Sequence, residues 1–374
     1  CGGCSRPING QYTIHNSSST PYHKGCFNCA GCNQLIEGNF TDHGEPPLPY
    51  HPDCGKELFG PRCCLCTHVL GGQFYRHPFF ENEQYCLSHE TRTACFACGR
   101  REPLPESRQE GFADLLDGRS LCAQCSGTII IDSSEAVALY QSIVHFMGAE
   151  LGLHIPEEMN AVPILVVDVH SLNENMNRQG GSLGYHDPTN VIRGLTLSTC
   201  AEVRHFPSGS MAFNQLSHAL RTGQAPTALF ATKEVRDVTA VLVLYGLPRD
   251  LTASILAHEA MHVWLKLNRG FPFRMPPKLE EGLCQVIAYL YLESLVESEK
   301  TGMLPTFDDP VTRQNAERAL EKEQSLRKYF RKQIRDDPSV VYGEGFRECH
   351  RVVQVLGLEV VLEYIQQHQQ LPPI

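Results

Sequence analysis

The chain has 374 residues, 42% of them hydrophobic, a formal charge of −10 and 17 cysteines. That length and composition suit two or three folded domains rather than a disordered polymer. The acidic balance excludes nucleic acid as the main partner, and no apolar run approaches the length of a membrane-spanning helix. No signal-peptide pattern opens the chain, and it starts at Cys1 without an initiator methionine, as a piece of a longer protein would.

Fourteen of the cysteines fall within the first 125 residues, and only Cys200, Cys284 and Cys349 lie beyond. Repeated C-x-x-C pairs with interspersed histidines favour structural zinc in a reducing compartment over a disulfide framework. The first run reads C-x2-C-x18-H-x2-C-x2-C-x2-C-x18-H-x2-C. Its eight donors satisfy two tetrahedral sites, Cys1, Cys4, His23 and Cys26, then Cys29, Cys32, His51 and Cys54. This spacing resembles a LIM domain throughout, over residues 1–56. A looser copy occupies 57–128, with Cys63, Cys66, Cys86 and His89 as one quartet and Cys95, Cys98, Cys122 and Cys125 as the other. Five residues separate its second and third pairs, where the LIM pattern has two. Cys64 competes with Cys63, and His77 is a further rival ligand. Closed four-donor sites fold a chain with little core and do no chemistry, so these modules should present a surface to partners or brace the adjoining C-terminal domain.

Residues 129–374 read as a separate α+β domain. Ser133 is a plausible N-cap for a helix with apolar residues at Val137, Tyr140, Val144, Met147 and Leu151, ending near Gly152. Residues 162–173 (VPILVVDVHSLN) read as a buried strand, 173–190 as a loop, and 238–248 (VTAVLVLYGLP) as a second strand.

A helix capped by Asp250 or Thr252 should come next, running to about Asn268. It is apolar nearly all round, yet carries His258, Glu259 and His262 in the pattern H-E-x-x-H. The two histidines lie one turn apart on one face. Burying two imidazoles and a carboxylate without partners costs several kcal/mol, and a zinc ion meets that cost. The motif alone arises by chance often enough to need a third ligand. Glu280 and Glu281 open the next helix, and Glu281 completes H-E-x-x-H-x18-E. This resembles the gluzincin metallopeptidases, whose third ligand is the Glu of a similar turn. Adjacent helical residues point about 100° apart, so one of the pair can face the metal. Glu281 is the expected ligand, Glu280 its alternate, and Gln285 a possible support one turn on.

Three protein ligands leave a position for water, with Glu259 placed as general base for attack on a carbonyl. The strand at 238–248 could pair with an extended peptide, making peptide hydrolysis the natural reaction. Near the C-terminus, "VYGEGFRECH" offers Tyr342 and His350 as oxyanion donors, while Arg347 suits a structural role as well.

Together, "YHPDC", "QYCLSHE", "VLYGLPRDLTASILAHEAMHVWLKL", "EEGLCQVIA" and "VYGEGFR" resemble the DA-one family, LIM-containing peptidases known as plant growth regulators. The resemblance spans nearly the whole chain. It implies zinc ligands at His258 and His262, the base at Glu259 and the ligand turn at Glu280 to Gly282. It also implies an endopeptidase of ubiquitin-pathway proteins, switched on by ubiquitination. The family's plant members carry ubiquitin-interacting helices before the LIM domain; here any ubiquitin contact would fall to the zinc modules or the peptidase surface. The expected metal load is one catalytic and about four structural zincs. Expected partners are protein substrates and ubiquitin or ubiquitinated proteins, with neither nucleic acid nor membrane, in the cytoplasm or the nucleus. Two other readings stand beside this one: a catalytically silent LIM adaptor, and an enzyme kept latent by a loop or by Cys284.

Overall fold

The computed structural model describes residues 1–107, 109–178, 192–205, 221–222, 231–301 and 310–374. It divides into two compact units, Cys1–Phe112 and Ala113–Ile374.

The first unit is a string of short antiparallel hairpins. They are β1 (Tyr12–His15) with β2 (Thr20–His23), β3 (Thr41–His43) with β4 (Leu48–Tyr50), and β5 (Phe74–Arg76) with β6 (Gln84–Cys86). Helix α1 (Pro52–Phe59) comes after the second hairpin, with Pro52 at its first turn. A small buried apolar cluster of Phe27, Cys29, Ile36 and Tyr50, with Tyr22, Phe40 and Cys54 partly buried against it, packs the first module. Buried His15 braces it, its ring lying between Ser18 Oγ and Asp42 Oδ1 at 2.6 Å each.

The second unit takes in the tail of the second zinc module as well as the α+β region expected from residue 129. Hairpin β7 (Ala113–Asp114) with β8 (Ser120–Leu121) leads into α2 (Ala123–Ser126) and β9 (Ile129–Ile130). Buried Arg119 donates to the Tyr245 carbonyl at 3.0 Å, the Tyr245 hydroxyl donates to the Leu115 carbonyl, and β9 pairs with β13 (Leu247–Pro248). The polypeptide just before the H-E-x-x-H helix is thereby tied to the tail of the module.

Helix α3 (Ser133–Ala149) is capped by Asp132, whose carboxylate accepts from Ser134 N at 2.6 Å; the expected cap, Ser133, instead accepts from Val166 N at 3.0 Å. The strand expected over 162–173 is shorter. β10 (Ile164–Val167) stops at Asp168, and α4 (Val169–Arg178) takes the end of the expected strand and the start of the expected loop. Asp168 causes the change, because its carboxylate accepts from Ser171 N at 2.7 Å, the bond of a helix N-cap. The rest of the expected loop, from 179, lies outside the described residues.

The second expected strand is part of β12 (Ala231–Leu244), the centre of a three-stranded sheet in the order β10–β12–β11, with β11 spanning Gly194–His205. β10 pairs with it in parallel and β11 in antiparallel sense. Val241 and Val243 are fully buried, which is why this segment reads as a continuous apolar run. Val241–Leu244 are paired on both sides, so this part of the strand cannot pair with a peptide in the way the sequence suggested; among the described residues β11 is an edge of the sheet.

Helix α5 (Arg249–Leu267) crosses this sheet, and α6 (Pro277–Thr301), α7 (Pro310–Asp336), α8 (Gly345–Leu356) and α9 (Leu358–His368) complete the unit. Neither expected cap serves α5. Asp250 pairs with Arg327 of α7 at 2.8 Å, Thr252 donates to the Leu247 carbonyl at 3.2 Å, and Pro248 occupies the cap position. One large core, including Leu256, Ala260, Val263 and Trp264 of α5 and Leu283, Val286 and Ile287 of α6, holds the two helices together. Among the described residues no helix is long and apolar enough to cross a membrane.

Candidate metal centre

The N-terminal cysteines first test whether donor spacing translates into geometry. None of the chain's 17 cysteines is in a disulfide. In the first quartet His23 Nδ1 faces Cys4 Sγ at 3.4 Å and Cys26 Sγ at 3.8 Å, while His23 Nε2 donates to the Pro7 carbonyl at 3.1 Å. The second repeats this pattern: His51 Nδ1 to Cys32 at 3.3 Å and Cys54 at 4.0 Å, and Nε2 to the Leu35 carbonyl at 3.1 Å. Tetrahedral zinc with sulfur at about 2.3 Å and nitrogen at about 2.0 Å separates such donors by roughly 3.5–3.8 Å. Both sets therefore suit zinc, and the carbonyl on each far nitrogen fixes the tautomer that points Nδ1 at the sulfurs.

In the third quartet His89 Nδ1 lies 3.4 Å from Cys63 and 3.1 Å from Cys86, and Cys66 lies 3.9 Å from Cys86. This resolves the Cys63–Cys64 ambiguity. Burial opposes the Cys63 thiolate, but backbone N–H groups of Cys66 and Cys86 and the His89 side chain bring its pKa down to about 6. Burial and Glu83 push Cys64 up to about 12, and its thiol donates to that carboxylate. His77 is no ligand either. Its Nδ1 accepts from Phe79 N and Phe80 N, and its Nε2 donates to the Cys98 carbonyl at 2.8 Å. Of the last quartet, Cys95 and Cys98 are buried in the first unit, and Cys122 and Cys125 are buried in the second.

The second unit gathers a different set. His258 and His262 point the same way from α5, with their Nε2 atoms 3.2 Å apart. Glu281, in the first turns of α6, places Oε2 at 3.0 Å from His258 Nε2 and 3.4 Å from His262 Nε2. Nitrogen and oxygen donors on tetrahedral zinc at about 2.0–2.1 Å are separated by roughly 3.3 Å. The three measured edges fit that figure. Glu281 Oε2 is buried and has no hydrogen-bond partner, although both imidazoles lie beside it. An oxygen so placed is costly unless a cation shares it. Burial pushes the Glu281 carboxyl up, yet the His258 and His262 side chains beside it hold it well below the usual carboxylate range.

Glu280, the expected alternate, does not join this triangle. Its Oε1 lies 3.0 Å from His262 Nδ1, on the far side of the ring, and 2.6 Å from Lys266 Nζ. The support expected of Gln285 thus comes from Glu280 and Lys266. Cys284 Sγ lies within 4.8 Å of donor atoms on both histidines and is another possible ligand. Burial pushes its thiol up to about 12 in the absence of a cation, whereas Glu281 brings a carboxylate oxygen to 3.0 and 3.4 Å from the two ring nitrogens, so Glu281 is taken as the third donor and Cys284 as its rival.

Glu259 is 6% exposed and turned toward β11, where Thr196 Oγ1 donates to its Oε2 at 2.7 Å. Gly194 lies over the other oxygen: a Cβ there would stand 2.7 Å from Glu259 Oε1 and 2.5 Å from Ile255 Cγ2. These β11 contacts were missed in the sequence. Thr196 lies 63 positions before Glu259, and only strand pairing brings them together. The one available signal was a Gly and a Thr in an apolar segment that also reads as a strand.

Tyr342 occupies a wide turn over Val340–Glu344, held by Ser339 Oγ, which accepts from Tyr342 N and Gly343 N at 3.2 Å each. Its ring centroid is 6.3 Å from that of His258; the residue is 42% exposed, and partial desolvation of the hydroxyl followed by the charge of Glu281 pushes its pKa up. The turn is seated on α6 by glycines: a Cβ on Gly282 would lie 2.5 Å from the Gly345 carbonyl oxygen. That close approach sets Tyr342 beside Glu281. His350, the other expected oxyanion donor, instead stacks on Phe346 at 5.0 Å and meets Tyr289 at 5.1 Å. Arg347 donates to the Arg335 and Asp337 carbonyls at 3.1 and 2.8 Å, a structural clasp.

LIM-type zinc modules followed by an α+β unit with this centre define a multidomain LIM-containing protein. The family profile described as Protein DA1 matches residues 151–368, and the LIM domain profile matches residues 1–46. The chain is 34% identical to Protein DA1 of Arabidopsis thaliana, over 100% of this chain and 63% of that protein. It is 37% identical to Protein DA1-related 2 of the same plant, over 98% and 68% of the two chains. It is 36% identical to the LIM domain-containing protein HDR3 of Oryza sativa subsp. japonica, over 98% and 72%. The chain belongs to the DA1 family. It spans roughly two thirds of these relatives' length.

Proposed function

We propose that the chain is a zinc-dependent endopeptidase, with LIM-type modules that bind partners or regulate it. The observation that carries this reading is the triangle of His258 Nε2, His262 Nε2 and Glu281 Oε2, with edges of 3.0, 3.2 and 3.4 Å, and with Glu259 on the helix that carries both histidines. Zinc held by these three residues would supply Lewis acidity, polarising a carbonyl and acidifying water.

The chain's own residues supply the rest. Thr196 ties one Glu259 oxygen, leaving the other to accept a proton from water and pass it to the leaving amine. Tyr342, raised above its ordinary pKa, keeps its proton and can donate to a developing oxyanion. The β11 edge, whose Gly194 and Thr196 border Glu259, is suited to align an extended peptide by strand addition. Ubiquitin-pathway proteins as substrates, and a dependence on ubiquitin, are carried by the family resemblance. C-x-x-C pairs spaced for zinc rather than for disulfides suit the cytoplasm or nucleus. The four remaining quartets, including Cys95, Cys98, Cys122 and Cys125 by their spacing, would hold structural zinc.

The test is Glu259→Gln in the purified chain, incubated with a panel of ubiquitin-pathway proteins. The expected result is an unchanged zinc count, an unchanged thermal transition, and cleavage reduced roughly 10²–10⁴-fold. Cleavage that survives the substitution defeats the mechanism. A wild-type chain that binds zinc at His258 and His262 yet cuts nothing in its ubiquitinated form would point to the adaptor.

A further inference from the structure

We infer that Glu280, clamped by Lys266, is a positioning residue that locks His262 for metal binding. The inference rests on the metal reading proposed above. His262 offers two ring nitrogens, and one faces the other donors only if the opposite nitrogen carries the proton. Glu280 Oε1 lies 3.0 Å from His262 Nδ1 and accepts a hydrogen bond from its N–H, leaving the Nε2 lone pair directed at the triangle.

The carboxylate is itself held in place. Lys266 lies one turn beyond His262 on α5, and its Nζ donates to the same Oε1 at 2.6 Å. It also donates to the Phe273 carbonyl at 2.7 Å and sits 5.1 Å from the centre of the Phe273 ring. Lysine, glutamate and imidazole thus form one chain of contacts from the α5–α6 connection to the metal-facing nitrogen. Glu280 is 9% exposed, so it needs a cationic partner, and Lys266 alone could meet that need. Sharing the same oxygen with His262 is the arrangement that turns a buried ion pair into a support for a metal ligand. Carboxylates in this position typically change metal affinity by about 10–100-fold. His258 and His262 are therefore unequal: the outer contacts of His262 are built across two helices.

Zinc release from the full chain to a colorimetric chelator tests this, read as ions per chain and rate. Wild type should release one ion faster than the rest, and His262→Ala should lack that ion. Glu280→Gln should release it roughly 10–100-fold faster, and Lys266→Met about 3–10-fold faster, with the slower ions unchanged. Wild-type release rates in both variants overturn the inference and leave the metal reading standing. The same holds if their thermal transitions fall while release is unchanged, since the cluster would then be a structural ion pair only. If Glu280→Gln does not fold, the Lys266→Met rate alone decides. A full zinc count in His262→Ala overturns the metal reading itself.

Discussion

The quartets of the first unit and the triad of the second place histidine and its companion donors at similar tetrahedral separations, in opposite surroundings. Around His23 and His51 the donors number four, the hairpins are three or four residues long, and the apolar cluster has four buried members. Around His258 and His262 there are three close donors, and both helices are already held by the main core of the unit. On the reading proposed above, metal substitutes for a core in the first case, and in the second a core presents a site that leaves room for chemistry. Donor number separates the two settings less sharply than does the presence of Glu259, held by Thr196 on the same helix as the two histidines.

The largest expected effect comes directly from that contrast. Exhaustive chelation of the full chain should abolish amide hydrogen-exchange protection in residues 1–107, because apo zinc modules of this size lack the burial to stay folded. Protection in α5 and α6 should persist. Loss of protection in both regions together would break the comparison. A sharper version uses adjacent cysteines: Cys63→Ala should cost one zinc per chain by metal analysis and unfold its module. Cys64→Ala should keep every zinc and shift stability by about 1 kcal/mol. Equal zinc loss in both variants would return Cys64 to the ligand set.

Spacing made the donors legible because it is a local property. Two histidines four apart on a helix must share a face, and C-x-x-C turns close on one another wherever they occur. The pair Glu280 and Glu281 was legible only as an either-or; both proved to touch His262, one on each ring nitrogen. Thr196, Gly194 and Lys266 were not legible as site residues, since their roles depend on a strand register and an interhelical connection that no periodicity encodes. The caps failed for a related reason. Asp250 has the right chemistry for a helix start but is taken by Arg327, distant in sequence, just as Ser133 is taken by Val166. The strand at 238–248 was found, but its place in the sheet was not: apolar runs announce burial, and here burial meant the central position.

Smaller effects should appear in residues that adjust the centre without holding metal. Thr196→Val removes a 2.7 Å hydrogen bond to a carboxylate while nearly conserving volume. Bonds to charged groups are worth about 1.5–3 kcal/mol, so cleavage should fall roughly 10–100-fold at unchanged zinc content. Thr196→Ser should restore most of it, whereas a purely packing role would leave serine no better than alanine. The smallest contrast lies within one C-terminal segment, where Tyr342 and His350 both looked suited to an oxyanion. Tyr342→Phe should lower kcat about 10-fold with little change in KM, because the ring beside His258 remains and only the donor is lost. His350→Phe should leave kcat, KM and zinc count at wild-type values, since its ring only stacks between Phe346 and Tyr289. The reverse ranking would move the oxyanion donor onto α8 and require a different approach of substrate to the triad.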